Sequence, residues 1–370
     1  MKETTKRTLK NVFASLISND AAIDGAKTAP WWIAIIFLVL GTFMPIIPIM
    51  VNNGKAYGAS FMAKDTYGYE QALAAVSNKL ELDGYSFTVN EKHELIAKQG
   101  ETVLENRSQN NADLEPIAYY NATIKVNGVD RQYRALNVFY TDGNYSDLRK
   151  KVEKTQYYFL TELKSTDYDS FDDGTKAELQ ANYHLHMPSY LILYKGGLSG
   201  RIYKYSTTTA YAASYDGADW KKLDAGTELL SLVNNVEGFE TKDAATRLKD
   251  INYVNGVKAN WTNVFNKSYA NQKVKTFWFS SGLYYGIYLV LAFFMGLLMF
   301  LLTRGRNNPN RNMNLWITLK ISMWIDFTPG VLAMILSFIW SPTAGIGYIA
   351  ILGIRTMWLS MRQLNPSVTQ

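Results

Sequence analysis

The chain has 370 residues, of which 48% are hydrophobic, and it carries a formal net charge of +6 and no cysteine. The lack of cysteine excludes a fold held by disulfide bonds and every cysteine-ligated metal site. A length of 370 residues usually corresponds to two or three structural units, and hydropathy divides this chain into parts of unlike character.

Residues 1–30 are basic and contain an amphipathic pattern. The apolar residues of 4–18 recur at helical spacing on one face, with Lys6, Arg7 and Lys10 beside or opposite it. This pattern is typical of a helix that lies in the inner membrane interface. It equally fits a helix packed against the cytoplasmic surface of a partner, and both interpretations stay open.

The run 31–51 has 21 residues without a charge, which suffices to cross about 30 Å of hydrocarbon. It is longer than the apolar part of a usual signal peptide. We therefore predict that it is an uncleaved first span.

Residues 52–275 have the composition of a soluble domain. A helix is predicted near its start, and Asn127–Gly128 joins two alternating runs in the manner of a β-hairpin. Further hairpins are predicted around Gly196–Gly200 and Asp216–Gly217. These elements indicate a single α+β domain with an antiparallel sheet.

The remaining chain reads as three more spans. They cover 277–303, 316–340 and 344–361, separated by a basic loop at 304–315 and followed by a tail at 362–370. The predicted fold is thus a membrane α-helical protein with four spans and one large α+β domain.

Charge predicts the orientation. The segment 52–275 holds 27 of the 38 basic residues and 28 of the 32 acidic ones, so the positive surplus lies in the termini and in the loop 304–315. Basic segments near spans stay in the cytoplasm. We expect both termini inside and the large domain outside, in a multi-pass protein of the plasma membrane.

The second span carries small residues at a spacing of four. These are Gly282 and Gly286, followed by Ala292 and Gly296. Small residues at this spacing let two helices approach closely, so the face predicts contact with another helix, in this chain or in a partner.

The third span contains an aspartate, Asp326, about 15 Å from its start. Arg355 lies equally far from the turn between the third and fourth spans, and therefore at a similar depth. A carboxylate inside a membrane usually has a partner or faces a polar cavity. We predict an ion pair between Asp326 and Arg355 that holds the two helices together, with a proton- or ion-coupled site as the alternative.

The large domain holds 21 of the 25 tyrosines. Tyrosine favours strands, but it also gives flat contact area for sugars or proteins. A possible outer binding face consists of Tyr190, Tyr194, Tyr203, Tyr205, Tyr211 and Tyr215.

Motifs of enzymes are missing from the sequence. It has no Walker loop, no G-x-S-x-G and no H-E-x-x-H. We expect a protein that is not an enzyme, with no cofactor, no bound metal and no nucleic-acid partner.

The "FASLIS" start at 13–18 and the order of elements (amphipathic start, anchor, outer domain, three closing spans) resemble a membrane-protein family linked to maltodextrin utilisation in Gram-positive-type bacteria. Members of that family are found beside sugar ABC importers. The resemblance implies membrane lipids, importer permeases and a sugar ligand as partners.

These observations together predict an accessory or assembly subunit of a membrane complex, possibly a sugar importer. Two alternatives stay open. One is a stand-alone sensor that binds a ligand outside, and the other is a small ion-coupled carrier centred on Asp326.

Overall fold

The computed structural model describes residues 10–64, 69–105, 115–126, 129–153, 157–158, 172–173, 185–186, 188–203, 211–306, 308–340 and 345–364. The chain forms two compact units. We call residues 1–55 with 274–370 the helical unit and residues 56–273 the sheet unit. Each is described by itself.

In the described chain, helices come first and last, and the strands lie between them with one helix among them. The helices are α1 (Asn19–Thr28), α2 (Trp31–Phe43), α3 (Ile47–Lys55), α4 (Tyr69–Leu82), α5 (Tyr145–Val152), α6 (Leu229–Asn234), α7 (Ala244–Lys249), α8 (Ile251–Leu302), α9 (Leu315–Ile339) and α10 (Gly347–Leu359). The strands are β1 (Tyr85–Val89), β2 (Leu95–Gln99), β3 (Thr102–Val103), β4 (Ala118–Val126), β5 (Val129–Thr141), β6 (Tyr157–Tyr158), β7 (Leu185–His186), β8 (Ser189–Tyr194), β9 (Gly197–Tyr203) and β10 (Tyr211–Tyr215).

Three helical segments are long and apolar enough to cross a membrane. They are Trp31–Lys55, Ile251–Leu302 and Leu315–Ile339, and they cover the first three predicted spans except residues 303 and 340. The second predicted span is only the C-terminal part of α8, which has 52 residues and begins well before residue 277. The fourth predicted span contains α10, a helix of 13 residues that a π-helical turn, Ser360–Leu364, extends.

Local sequence explains where two helices of the helical unit begin. The side chain of Ser18 accepts a hydrogen bond from the backbone N–H of Ala21 and caps α1. The side chain of Asn314 caps α9 in the same way, through the N–H of Ile317. Such caps satisfy N–H groups that the first helical turn leaves without partners.

Proline shapes the segment Trp31–Lys55. Pro45 cannot donate a backbone hydrogen bond, and a 3₁₀ turn, Met44–Ile46, separates α2 from α3 at this point.

The core of the helical unit forms where α2, α8, α9 and α10 contribute apolar side chains, with Phe37 stacked on Trp324 at 5.0 Å between ring centroids.

The sheet unit contains a mixed sheet among its described residues, in the order β10-β9-β8-β5-β4. All its neighbouring strands are antiparallel except β5 and β8, which are parallel. A smaller antiparallel sheet has the order β1-β2-β3. The predicted antiparallel pairing is thus present, with one parallel pair that the sequence pattern did not predict.

The predicted hairpins have different outcomes. β4 and β5 pair up to Val126 and Val129, and residues 127–128 between them lie outside the described residues. The second hairpin is confirmed, because β8 and β9 pair through Tyr194 and Gly197. The third is wrong, since Gly217 adopts a positive φ after β10 and no strand follows it in the described segment 216–228.

Both faces of the mixed sheet are buried. On β8, Leu191 and Leu193 join the main core together with residues of α4, α6 and the N-terminal part of α8. Tyr190 and Ile192 point to the opposite face, where α5 covers them through Leu148 and Val152. A sheet covered on both faces leaves little room for a binding surface on its strands.

Candidate functional site: packing faces and buried polar groups of the helical unit

The small-residue face of α8 is used only in part within the chain. A Cβ atom added at Gly296 would lie 2.8 Å from Leu319 Cδ2 and 2.9 Å from Leu319 Cα. Ala292 is buried, and its carbonyl oxygen accepts a hydrogen bond of 2.5 Å from Ser322 Oγ. This end of the face therefore packs against α9.

The other end of the same face is open among the described residues. Apart from the adjoining residues and the backbone of α8 itself, no described atom lies within 4 Å of a Cβ atom added at Gly282 or Gly286. The two glycines lie in an apolar groove of about 570 Å³. Its remaining lining residues are Leu283, Ile287, Val290, Leu291, Phe294 and Ile349.

A close backbone contact in the helical unit involves two glycines outside the G-x-x-x-G pattern. A Cβ atom on Gly330 of α9 would lie 2.8 Å from the carbonyl carbon of Gly41 on α2. A Cβ atom on Gly41 would in turn lie 2.7 Å from the carbonyl carbon of Asp326. The two glycines are on different helices, so no spacing within one span could have paired them.

Asp326 lies in this contact. Its side chain is fully buried, and Tyr348 of α10 donates its hydroxyl hydrogen to Oδ1. The ring of Tyr348 packs on Tyr288 of α8, with 4.5 Å between centroids. The second carboxyl oxygen, Oδ2, has no hydrogen-bond partner among the described residues and faces Gly41.

Arg355 binds oxygen atoms that carry no net charge. Its Nη1 donates to the carbonyl oxygen of Ile325 at 2.9 Å, and its Nη2 donates to that of Ser15 at 2.6 Å. Its Nε donates to Asn19 Oδ1 at 3.2 Å. The guanidinium group therefore joins α9 to the segment that precedes and begins α1.

These contacts correct the predicted ion pair. Within the described residues, no carboxylate oxygen of Asp326 lies within 4.0 Å of an Arg355 nitrogen, and the two side chains have different partners. Arg355 does lie at the predicted depth, because it binds the carbonyl oxygen of Ile325, the residue next to Asp326 in sequence. Pro329 decides the detail, because it has no N–H for the carbonyl group of Ile325, four residues earlier, and so leaves that oxygen to Arg355.

The N-terminal segment packs on the chain's own helices. Thr328 Oγ1 donates to the carbonyl oxygen of Leu16 at 2.7 Å, and Leu16 and Val12 contact the core of the helical unit. Phe13 and Ile17 are 66% and 92% exposed. The amphipathic pattern thus places one part of its apolar stripe against α9 and leaves another part outside.

Lys320 is buried as well. Its ammonium group donates to the carbonyl oxygen of Ala29, between α1 and α2. This hydrogen bond fixes the start of α2 against α9.

The predicted tyrosine face is mostly core. Tyr190, Tyr203 and Tyr215 are 1%, 8% and 2% exposed, which contradicts a binding surface made of these side chains. Tyr194 is partly buried, stacks on Tyr145 and donates to the carbonyl oxygen of Ala218. Tyr205 and the side chain of Tyr211 lie outside the described residues.

Burial changes the acidity of these phenols. Desolvation raises the pKa of Tyr190, Tyr194 and Tyr215 above the ordinary value of a tyrosine. For Tyr190 the hydrogen bond that it donates to Glu153 Oε1 at 2.6 Å acts in the same direction. These side chains stabilise the sheet unit as neutral donors.

No group of three or more His, Asp or Glu side chains that could hold a metal ion occurs in the described parts of the chain. No protein family, no curated protein and no solved structure matches the chain.

Proposed function

We propose that this chain is a membrane-embedded accessory or assembly subunit, without enzymatic activity, that binds a transmembrane helix of a partner protein in the Gly282–Gly286 groove. The observation that carries the proposal is the open space at the Cβ positions of these two glycines. Gly296 on the same helix is fully packed, so the helix has both an internal and an unused packing face.

A helix with small residues is the occupant that fits the groove. Gly282 and Gly286 leave room for close backbone approach, which drives helix association where the hydrophobic effect is weak. The flanking side chains are apolar and outward-facing, with Val290 70% and Phe294 52% exposed. The groove offers no charge to a polar ligand, since its lining residues are apolar.

The wider setting is also part of the proposal. Three helical segments have the length and composition of membrane spans, and the placement of basic residues favours a plasma-membrane protein with the sheet unit outside. The resemblance to proteins found beside sugar importers suggests that the partner helix belongs to an importer permease. A sugar ligand would then contact the sheet unit at a surface other than the buried tyrosines.

Matched glycine variants test the groove. Gly286→Leu fills the groove, whereas Gly353→Leu adds the same side chain to α10 at a position that also has open space around it. We expect mild detergent extraction of the wild type and of Gly353→Leu to co-purify the same membrane protein, identified by mass spectrometry. Gly286→Leu should lose it while keeping the thermal midpoint.

Three outcomes would contradict the proposal. The wild type could purify with lipid alone, both variants could keep the partner, or both could lose it. A partner that is not an importer permease would contradict the importer assignment and leave the groove as the binding site.

A further inference from the structure

Asp326 poses a problem of hydrogen bonding. An ionised carboxylate accepts hydrogen bonds at both oxygens, whereas a protonated one donates from one of them. Only Oδ1 receives a hydrogen bond, from Tyr348, and Oδ2 has no partner in the part of the chain that the structure describes. Burying a charged oxygen without a donor is far more costly than burying a neutral acid.

The neighbouring helix supplies an acceptor in the right place. In a regular α-helix, the N–H of residue 45 would donate to the carbonyl oxygen of Gly41. Residue 45 is proline and has no N–H, so this carbonyl lacks its helical donor. Gly41 is also the residue that Asp326 Oδ2 faces.

Close backbone approach brings the two groups together. Because neither Gly41 nor Gly330 has a side chain, α2 and α9 touch through their backbones at this level. The carbonyl group of Gly41 lies against Gly330, one helical turn beyond Asp326. The Gly41 carbonyl, which lacks its helical donor, and the unpartnered carboxyl oxygen of Asp326 thus lie in the same backbone contact between α2 and α9.

We propose that Asp326 is a proton-binding site, in which the carboxyl group carries a proton on Oδ2 and donates it to the carbonyl oxygen of Gly41 while Oδ1 accepts from Tyr348. The bound proton joins α2, α9 and α10. This inference is independent of the groove, and its failure would leave the partner proposal untouched.

The charged and titratable groups around the site are few. Arg355 on α10 is half-buried and bound to neutral oxygens, and it does not contact the carboxyl group. Residues 31–43 of α2 contain no titratable side chain. The other titratable groups on the packed helices include Tyr348 on α10, Tyr284, Tyr285 and Tyr288 on α8, Lys320 on α9, which donates to Ala29, and the exposed Asp20, Asp24 and Lys27 on α1.

The hydrogen bond to Gly41 determines how the stability of the helical unit changes with pH. The protonated form makes both hydrogen bonds, so the contribution to stability is complete at low pH. Raising the pH removes the proton, breaks the bond to Gly41 and leaves a buried negative charge. The helical unit should therefore lose thermal stability as the pH rises.

Infrared spectroscopy tests the protonation state directly. The full-length protein in lipid vesicles at neutral pH should show the carbonyl band of a protonated carboxylic acid, which Asp326→Asn removes. Asp20→Asn, an exposed control, should leave the band unchanged. Absence of the band in the wild type, or its survival in Asp326→Asn, would overturn the proposal.

Thermal stability gives a second, independent readout. An asparagine at 326 can accept from Tyr348 and donate to Gly41, so we expect Asp326→Asn to keep the wild-type midpoint and to lose its alkaline decline. Equal decline in both proteins would contradict the proposal. If Asp326→Asn does not fold, Tyr348→Phe tests the proton-binding site. This variant removes the donor at Oδ1 and must therefore shift the carboxyl band relative to the wild type. An unshifted band would count against the site.

Discussion

Two glycine pairs of the helical unit have opposite surroundings. Gly41 and Gly330 bring α2 and α9 into backbone contact, and a single added methyl group would collide with the facing helix. Gly282 and Gly286 on α8 have open space where a methyl group would go. The first pair joins two helices of the unit, whereas the second has open space beside it.

The difference shows what small-residue spacing can and cannot tell. The G-x-x-x-G pattern of α8 is visible in the sequence, but the intimate contact lies between two single glycines on different helices. The pattern indicates that a face is suited to close packing. Whether that face is already occupied depends on the fold.

The largest effect should come from Gly330→Ala. The new methyl group would press on the backbone of Gly41, which cannot rotate away as a side chain could. Overpacking of this kind costs about 1–3 kcal/mol or more. We expect a loss of stability at the upper end of this range, despite the better helix propensity of alanine. Thermal unfolding of the protein in detergent measures this loss. A thermal midpoint equal to that of the wild type would show that the backbone contact is loose.

Gly296→Ala should have a smaller effect of the same sign. Its methyl group would meet Leu319 Cδ2, the flexible end of a side chain, as well as Leu319 Cα. Partial relaxation of the leucine should limit the loss to about 1 kcal/mol. The same unfolding assay measures this loss. Adding Leu319→Ala to Gly296→Ala should relieve the crowding at Cδ2, with the Gly296→Ala single variant as the reference.

The smallest effect, and one of opposite sign, is expected for Gly282→Ala. No neighbour resists the methyl group, and alanine is the better helix former by up to about 1 kcal/mol. The thermal midpoint should rise slightly. A fall similar to that of Gly296→Ala would mean that the groove is filled by the chain itself, and would remove the contrast between the two ends of α8.

The sequence predicted the polar centre of the helical unit better than its bonding. Equal distance from a helical turn correctly brought Arg355 beside α9 near Asp326. It could not reveal that Tyr348 would reach the carboxyl group first, or that residues 15–19 would fold back to meet Arg355. Partner choice among several nearby groups depends on side-chain direction, which periodicity does not encode.

The sheet unit shows the same limit in another form. Alternation along β8 places Tyr190 on one face and Leu191 on the other, as expected for a strand. The polar character of tyrosine suggested that its face was open to solvent. That face is covered by α5, a short helix whose packing partner cannot be identified from its own eight residues.

The parallel pair of β5 and β8 has a consequence for how the sheet unit folds. Leu136 pairs with Ser189, so the two strands meet across about fifty residues of chain, whereas β4 with β5 and β8 with β9 are neighbours in sequence. Local hairpins close quickly, and long loops cost more entropy to close. We infer that two separate antiparallel halves form first and that their docking along β5 and β8 is the slow step, during which each half exposes an unpaired strand edge to other chains.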